Sequence, residues 1–500
     1  MAGLNTAQKS TAAIIVETIQ NAGIDIFPDF IGQVWAAIPT GNGYVEHIQL
    51  SSAKFKRWVA AGFYKRFDRI PNTKAIEDAI LVLTGLADKT TPREVYLRVA
   101  HLENEVIFDL GDTFVVIGKD GYHLVQNPPV PFRRPVGMRK LPLPDPDTEK
   151  GNRLDFLLSD IFGLDGDNLT LVTGFLIGTL GPGDYPILAL SGEQGSGKTT
   201  LAEGLKRIVD PSEVNLKSPP KDSEGLSVAA ANSWLLAYDN LSSVPDWLSD
   251  GLCRIASGTG FSTRRFYVND EEILIRHWRP IIVNSIPEIV SRGDLADRSI
   301  LVNLEPLPVI QEKGKFWKKF EKMLPYILHA LFTAVATALA NRDNVNLHSV
   351  PRLADFTTWV EASLPATWMS SGEFLNAYLQ NRDKATTGLL DYSVLGIEIQ
   401  RFIAKHKSWA GSASDLLEQI SLSALGDVPD AIKRMTPRTL SNELRRLSPL
   451  LRKVGISVEF SNKAVRLNGM VTRVITISTL EVREMEKADA QYGMGELEGV

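Results

Sequence analysis

Apolar residues along this chain follow two alternating periods. Residues 11–22 carry them at helical spacing and Gly23 supplies a stop, which predicts a first helix. Val34–Ile38 and Tyr44–Ile48 read as short strands joined through Gly41-Asn42-Gly43, a hairpin signal. Helices are predicted over 51–66 and 73–87, the second with Ile76, Ala79, Ile80, Leu83 and Ala87 at helical spacing. From Val95 the period falls to two. Segments 95–100, 105–110, 113–117 and 122–125 predict a meander with Asp120-Gly121 at one turn. Prolines dominate 128–135 and 141–146, so the linker is placed there.

Farther on, buried-strand and helix patterns alternate. Pro186–Leu190 is an apolar strand feeding an amphipathic helix through Ile208, and Trp234–Asn240 and Pro280–Asn284 are apolar strands with polar ends. Asp165 and Asp167, beside Gly163 and Gly166, read as a turn. Residues 316–341 and 352–382 read as helical. Helices over Val394–Lys405, Ala413–Leu422 and Thr439–Leu447 precede strands at Gly455–Phe460 and Thr472–Ile477, with Asn468-Gly469 between them. Three helices and a hairpin is the winged-helix order. The predicted organisation is a mainly helical region (1–90), a β-rich accessory region with its proline-rich linker (91–145), an α/β core (151–342), a helical connector (343–392), a winged-helix domain (393–480) and an acidic, disordered tail (481–500).

Composition adds exclusions. A chain of 500 residues, 44% hydrophobic and 23% charged with net charge −5, is an ordinary multidomain composition, so any basic nucleic-acid surface has to be local. Cys253 is the only cysteine, which excludes an internal disulfide and a Cys-rich zinc site and suits a reducing cytosol. No signal-peptide core opens the sequence, and the apolar run Leu324–Ala340 lies near the lower limit for a membrane span. A cytoplasmic protein without membrane contact is expected.

The candidate chemistry centres on Gly192-Glu193-Gln194-Gly195-Ser196-Gly197-Lys198-Thr199-Thr200, set between a strand and a helix. This is the phosphate-binding loop in its required context: glycines turn successive N–H groups toward one point, and the helix N-terminus adds its positive dipole end. Lys198 suits the β- and γ-phosphates of ATP, and the Thr199 hydroxyl suits Mg²⁺. Asp239 ends the next apolar strand, where a second metal-organising carboxylate belongs, and Asn284 ends another, where it can orient the attacking water. The N-terminal part has no cysteine-based zinc ribbon and no metal-binding carboxylate pair on a strand, so a primase or polymerase activity is not supported.

These segments resemble AAA+ ATPases of the superfamily III helicase type, specifically the helicase-like proteins of phages and integrated mobile elements. The resemblance rests on Gly192–Thr200, Leu235–Ser242, Leu248–Arg265, Arg279–Pro287 and Asp294–Leu301, and runs more weakly from about 93 to 480. It implies a P-loop NTPase core of the AAA+ kind, with Lys198 and Thr199 on phosphate and Mg²⁺ and Asp239 on the metal shell. It further implies Asn284 as γ-phosphate sensor and Arg298 as an arginine finger acting on a neighbour's nucleotide in a homo-oligomeric ring, taken as a hexamer. A salt bridge to Asp294 or Asp297 is the alternative for Arg298. Many such ATPases follow the strand-end Asp with a Glu; here Asn240 can position water but cannot take its proton, and Glu193 is the nearest acidic alternative by motif.

Two stretches suit nucleic acid. Thr263–Trp278 mixes basic and aromatic residues across an Asn269-Asp270 turn, so Arg264 and Arg265 can contact a single strand in a pore, unless they pair with Asp270, Glu271 or Glu272. Between 431 and 475, ten Lys/Arg stand against two acids, a surplus of eight, which points to duplex DNA with Arg438, Arg445 and Arg446 on or next to the recognition helix. The reading is an ATP-dependent replicative helicase of a mobile element or prophage, with a separate primase or polymerase as a possible partner. The alternatives are a helicase loader, a partner-remodelling or defence ATPase, or a DNA-binding regulator switched by ATP.

Overall fold

The computed structural model describes residues 9–41, 43–146, 153–241, 244–259, 261–264, 272–275, 277–285, 293–306, 312–423, 429–462, 465–467 and 470–480. Two compact units result, one comprising 1–286 with 302–377, the other 287–301 with 378–500. Arg265, the Asn269-Asp270 and Asn468-Gly469 turns and the 481–500 tail lie outside the described residues.

The first unit begins with α1 (Thr11–Asn21), a sheet of β1 (Asp25–Pro28), β2 (Val34–Pro39) and β3 (Val45–Gln49), α2 (Ala53–Phe67) and α3 (Thr73–Ala87). Ser10, Ser52 and Asn72 cap the three helices by accepting from the backbone N–H three residues on. Strand β1 is an addition to the sequence expectation; it pairs antiparallel with β2, Phe27 opposite Trp35.

The meander follows as β4 (Val99–His101), β5 (Val106–Asp109), β6 (Phe114–Gly118) and β7 (Gly121–Val125), in that order. The first strand is shorter than its pattern because Arg98 takes a left-handed backbone, φ 62°. The proline-rich segment lies against the meander: Arg133 N–H donates to the Tyr96 carbonyl at 2.9 Å, and Phe132 and Leu141 are buried.

His101, at the end of β4, donates from Nε2 to the Leu180 carbonyl at 3.0 Å, and burial pulls its imidazole from 6.5 down to about 4. Between those pH values the unfolded chain takes up a proton that the folded chain refuses, so stability is full above pH 6.5 and falls as pH drops toward 4, by about 1–3 kcal/mol for this group. His101→Gln keeps a donor and does not titrate; its urea midpoint should decline less steeply with acid than wild type, and parallel profiles would refute this assignment.

The core of the unit continues with α4 (Leu154–Phe162), α5 (Gly166–Gly178), β8 (Ile187–Gly192), α6 (Lys198–Val209), α7 (Ser223–Asn232), β9 (Leu236–Leu241) and α8 (Asp246–Ala256). The turn expected at Asp165–Asp167 is instead a helix start, with Asp165 at the N-cap position and Asp167 in the first turn, where a negative charge suits the dipole. Next come β10 (Phe261–Arg264), β11 (Glu272–Ile275), β12 (Ile281–Ser285), α9 (Gly293–Ala296) and β13 (Ser299–Leu304), of which α9 and the first residues of β13 fall in the second unit. The central sheet has the order β13-β8-β12-β9, with β12 parallel to both β8 and β9. Helices α10 (Lys313–Asn341) and α11 (Ala354–Ser363) complete the unit. Among the described residues α10 is the one helix long and apolar enough to cross a membrane, yet Leu328, Leu331, Phe332 and Val335 are fully buried against protein.

The second unit holds most of α12 (Glu373–Tyr392), then α13 (Val394–His406), β14 (Ser408–Gly411), α14 (Ala413–Ser423), α15 (Asp430–Lys433), α16 (Pro437–Lys453), β15 (Ile456–Phe460), β16 (Val465–Leu467), β17 (Met470–Thr472) and β18 (Ile475–Thr479). Its sheet runs β14-β18-β15, antiparallel throughout. Helix α16 extends beyond the predicted Leu447 because Leu440, Leu444, Leu447 and Leu451 share one buried face. They pack on Leu395, Ile399, Phe402, Leu416 and Ile477.

Candidate nucleotide site

Strand β8 ends in Gly192 with φ 140°, where an added Cβ would stand 2.2 Å from the Leu304 carbonyl oxygen. Only glycine fits that approach of two backbones. Gly197, φ 84°, is the N-cap of α6, so the loop turns directly into the helix and its orphan N–H groups face the loop. Lys198 folds over the loop, donating from Nζ to the carbonyls of Gly192 at 2.5 Å and Glu193 at 2.7 Å, with Ser196 Oγ at 3.4 Å. Ser196 is buried, Gly195 (φ 87°), Glu193 and Gln194 form the exposed crest, and Thr200 is half-buried in the first turn of α6.

The parallel sheet aligns three polar ends. Because Val283 of β12 pairs with Ala189 of β8 and with Tyr238 of β9, the carboxyl ends of all three strands lie side by side. Asn284, only 4% exposed, donates from Nδ2 to Thr199 Oγ1 at 3.0 Å and to Asp239 Oδ1 at 2.5 Å. Thr199 Oγ1 also lies 3.4 Å from Asp239 Oδ1. Hydroxyl, carboxylate and carboxamide thus converge beside the loop lysine, at the edge where open α/β sheets bind ligands.

Asn240 has a backbone reason. Its φ is 58°, and the β9–β12 register shifts beside it, Tyr238 facing Val283 but Leu241 facing Ser285. Asn tolerates the left-handed region better than most residues, and a side chain such as Glu would add about 1–2 kcal/mol of strain there. The Asn240 side chain is exposed.

Arg298 belongs to the second unit, where Nη1 donates to the Asp294 carbonyl at 3.2 Å and pairs with the Asp294 carboxylate. Asp297 instead takes Arg382 at 3.3 Å. Arg264 ends β10, opposite Glu272 in the hairpin. Arg438, Arg445 and Arg446 are exposed on α16, the Arg445 guanidinium standing 3.9 Å from the centre of the Phe460 ring.

A buried charge network escaped the sequence reading. Asp210, just past α6, accepts from Lys206 Nζ at 2.6 Å, Arg98 Nε at 3.2 Å and the backbone N–H groups of Trp234 at 2.8 Å and Leu235 at 3.3 Å. Burial alone would raise its carboxyl, but Lys206 and then Arg98 outweigh burial and hold it at about 2. Arg98 Nη1 continues to the Asp109 carbonyl at 2.6 Å, and Asp109 receives Arg134 through two 2.8 Å bonds. Ion pairs and hydrogen bonds therefore join the meander, the end of α6 and the approach to β9. Its one local signal is the i, i+4 spacing of Lys206 and Asp210.

Residues 155–384 match the family model described as actinomycete integrative conjugative element replication protein, and residues 395–490 match that of the AICE RepA C-terminal domain. The chain thus carries, in order, matches to two parts of a mobile-element replication protein. Among solved structures, the SCCmec type IV Cch active helicase is similar at 13% identity, covering 92% of this chain and 94% of that one, with a TM-score of 0.48. The apo C-terminal region of NrS-1 is similar at 13% identity, covering 94% and 100%, with a TM-score of 0.38. No curated protein matches.

Proposed function

We propose that this chain is the ATP-driven DNA helicase of a mobile element's replication system. The observation that carries the reading is the convergence of Thr199, Asp239 and Asn284 beside Lys198, in a chain matching a conjugative-element replication protein. Loop N–H groups and Lys198 bind the phosphates of ATP; Thr199 and Asp239 are the residues that would hold Mg²⁺, which supplies charge neutralisation on the phosphoryl oxygens. Asn284 fixes Asp239 and offers its amide to the attacking water or γ-phosphate. In a homo-oligomeric ring, taken as a hexamer, Arg298 exchanges Asp294 for a neighbour's nucleotide, and the β10–β11 hairpin, with Arg264 and Arg265, follows single-stranded DNA. The order α13, β14, α14, α15, α16, β15, β16–β17, β18 supports a winged helix, with Arg438, Arg445 and Arg446 of α16 toward duplex DNA.

Turnover of ATP by the purified chain, with and without single-stranded DNA, tests the reading together with displacement of a labelled strand from a fork. DNA-stimulated turnover and displacement are expected, both lost in Lys198→Ala. Arg298→Ala doped into wild type should depress turnover more than in proportion to its share. The left-handed, exposed Asn240 favours one second reading, a DNA-binding switch with slow hydrolysis. Turnover indifferent to DNA, with no displacement, would select that reading and end the helicase claim.

A further inference from the structure

Arginines buried in the first unit meet carboxylates: Arg98 has Asp210, and Arg134 has Asp109. Arg133 and Arg279 depart from that rule. Arg133 Nη2 donates to the Ala231 carbonyl, and Arg279 donates from Nε to the Ala230 carbonyl at 3.0 Å and from Nη1 to the Trp278 carbonyl at 2.8 Å. Both guanidiniums thus cap the last turn of α7, and Arg279 also stands 5.1 Å from the Trp234 ring centre. A helix C-terminus offers only about half a negative charge. Two full positive charges gather there, and among the described residues neither has a carboxylate within ion-pair distance. His277, two residues before Arg279, adds an Nε2 that is enclosed and has no hydrogen-bond partner.

The imbalance is visible in the groups themselves. Burial and then Arg133 pull Arg279 down to about 10, and burial followed by Arg279 and Arg133 pulls His277 down to about 3, keeping its imidazole neutral. All three residues are half-buried. An anion is the missing partner: the guanidiniums keep unused N–H donors, and the His277 Nε2 is a polar atom still lacking a partner. The site lies at the amino end of β12, about 16 Å along the strand from the nucleotide residues at its carboxyl end. It also lies at the foot of the β10–β11 hairpin, since β11 ends at Ile275.

We propose that Arg133, His277 and Arg279 form a phosphate-binding site that takes a backbone phosphate of the single strand followed by the β10–β11 hairpin. The assignment of that phosphate to DNA rests on the helicase reading; the anion site itself does not. Two guanidiniums supply charge and direction, the imidazole supplies a neutral donor, and no base is read, as suits a site that every nucleotide of a moving strand passes.

The test uses the full chain without nucleotide, in the Lys198→Ala background so that the phosphate loop contributes least. Binding of a labelled oligothymidylate is followed by anisotropy across a salt series for that parent, Arg133→Gln and His277→Leu. The Gln side chain can still cap Ala231, and His277→Leu leaves both caps in place. Arg133→Gln should bind about 10-fold more weakly and flatten the log–log salt slope by about 0.7, the share of one phosphate contact on a single strand. His277→Leu should weaken binding several-fold with the slope unchanged, since a neutral donor releases no counterion. A cap with only a structural role would lower the melting temperature and leave the slope alone, and that outcome overturns the proposal. Inorganic phosphate at constant ionic strength is the second arm. A melting shift lost in Arg133→Gln, with DNA binding unaffected, would overturn the DNA assignment in favour of free phosphate. If the parent binds no oligonucleotide and shows no phosphate shift, the site is refuted; if only the oligonucleotide fails, the helicase reading falls and the anion site stands.

Discussion

Asp239→Ala should lower ATP turnover by about 10²–10³-fold, the cost of removing one preorganised electrostatic group from a transition state. Nucleotide affinity should change far less, because the loop N–H groups and Lys198, whose Nζ bonds to loop carbonyls rather than to Asp239, stay in place. The carboxylate is shared: Asn284 donates to it at 2.5 Å and Thr199 lies 3.4 Å away. Asn284→Ala alone should therefore lose much of the same activity, and the double variant should lose less than the product of the two, since residues in contact act as a unit. Single-turnover rates with separately measured ATP binding decide the matter. A loss below 10-fold for Asp239→Ala, or strictly multiplicative losses, would remove both residues from the reaction centre.

How much of this was legible in the sequence depends on distance along the chain. The loop from Gly192 to Thr200 is local, its glycines answer a backbone requirement, and its position before a helix follows from the strand pattern. Asp239 and Asn284 stood out as polar residues ending apolar strands, and a parallel sheet needs only its register to bring such ends together. Asn240 was legible as a departure but not as a solution: the φ of 58° and the register shift that suit Asn at that position exist only once β9 and β12 are paired. The proline-rich segment reads as a linker because proline forms neither helix nor central strand, while the burial of Phe132 and Leu141 depends on partners in the meander. Arg98 and Asp210 lie 112 residues apart, and no local pattern announces such a pair. Arg298 marks a different limit. Its sequence position is compatible with a finger or with a local ion pair, and the fold pairs it with Asp294.

The pair that sequence could not announce carries the largest expected stability effect. Asp210→Ala should destabilise the chain by about 3–5 kcal/mol, because removing one member of a buried ion pair leaves the others uncompensated. Lys206 is 1% exposed and Arg98 is fully buried, so neither can recover its hydration without local unfolding. The Trp234 and Leu235 N–H groups lose their acceptor as well. Asp210→Asn separates the two contributions: a carboxamide oxygen can still accept from the backbone, while the charge is gone. Its cost should fall below that of Asp210→Ala and drop further when combined with Lys206→Met, which removes the stranded ammonium and fills its volume. Urea unfolding of the three variants measures this order, and Asp210→Asn is expected to remain folded if Asp210→Ala does not. A cost under about 1 kcal/mol for Asp210→Ala would mean that water or a backbone shift compensates the cations. The energetic role has a functional side, since Asp210 ties the last turn of the helix that begins at Lys198 to the strand that carries Asp239. A variant that folds but leaves this tie loose should bind ATP and hydrolyse it slowly, with the Thr199, Asp239 and Asn284 groups all present and imperfectly aligned.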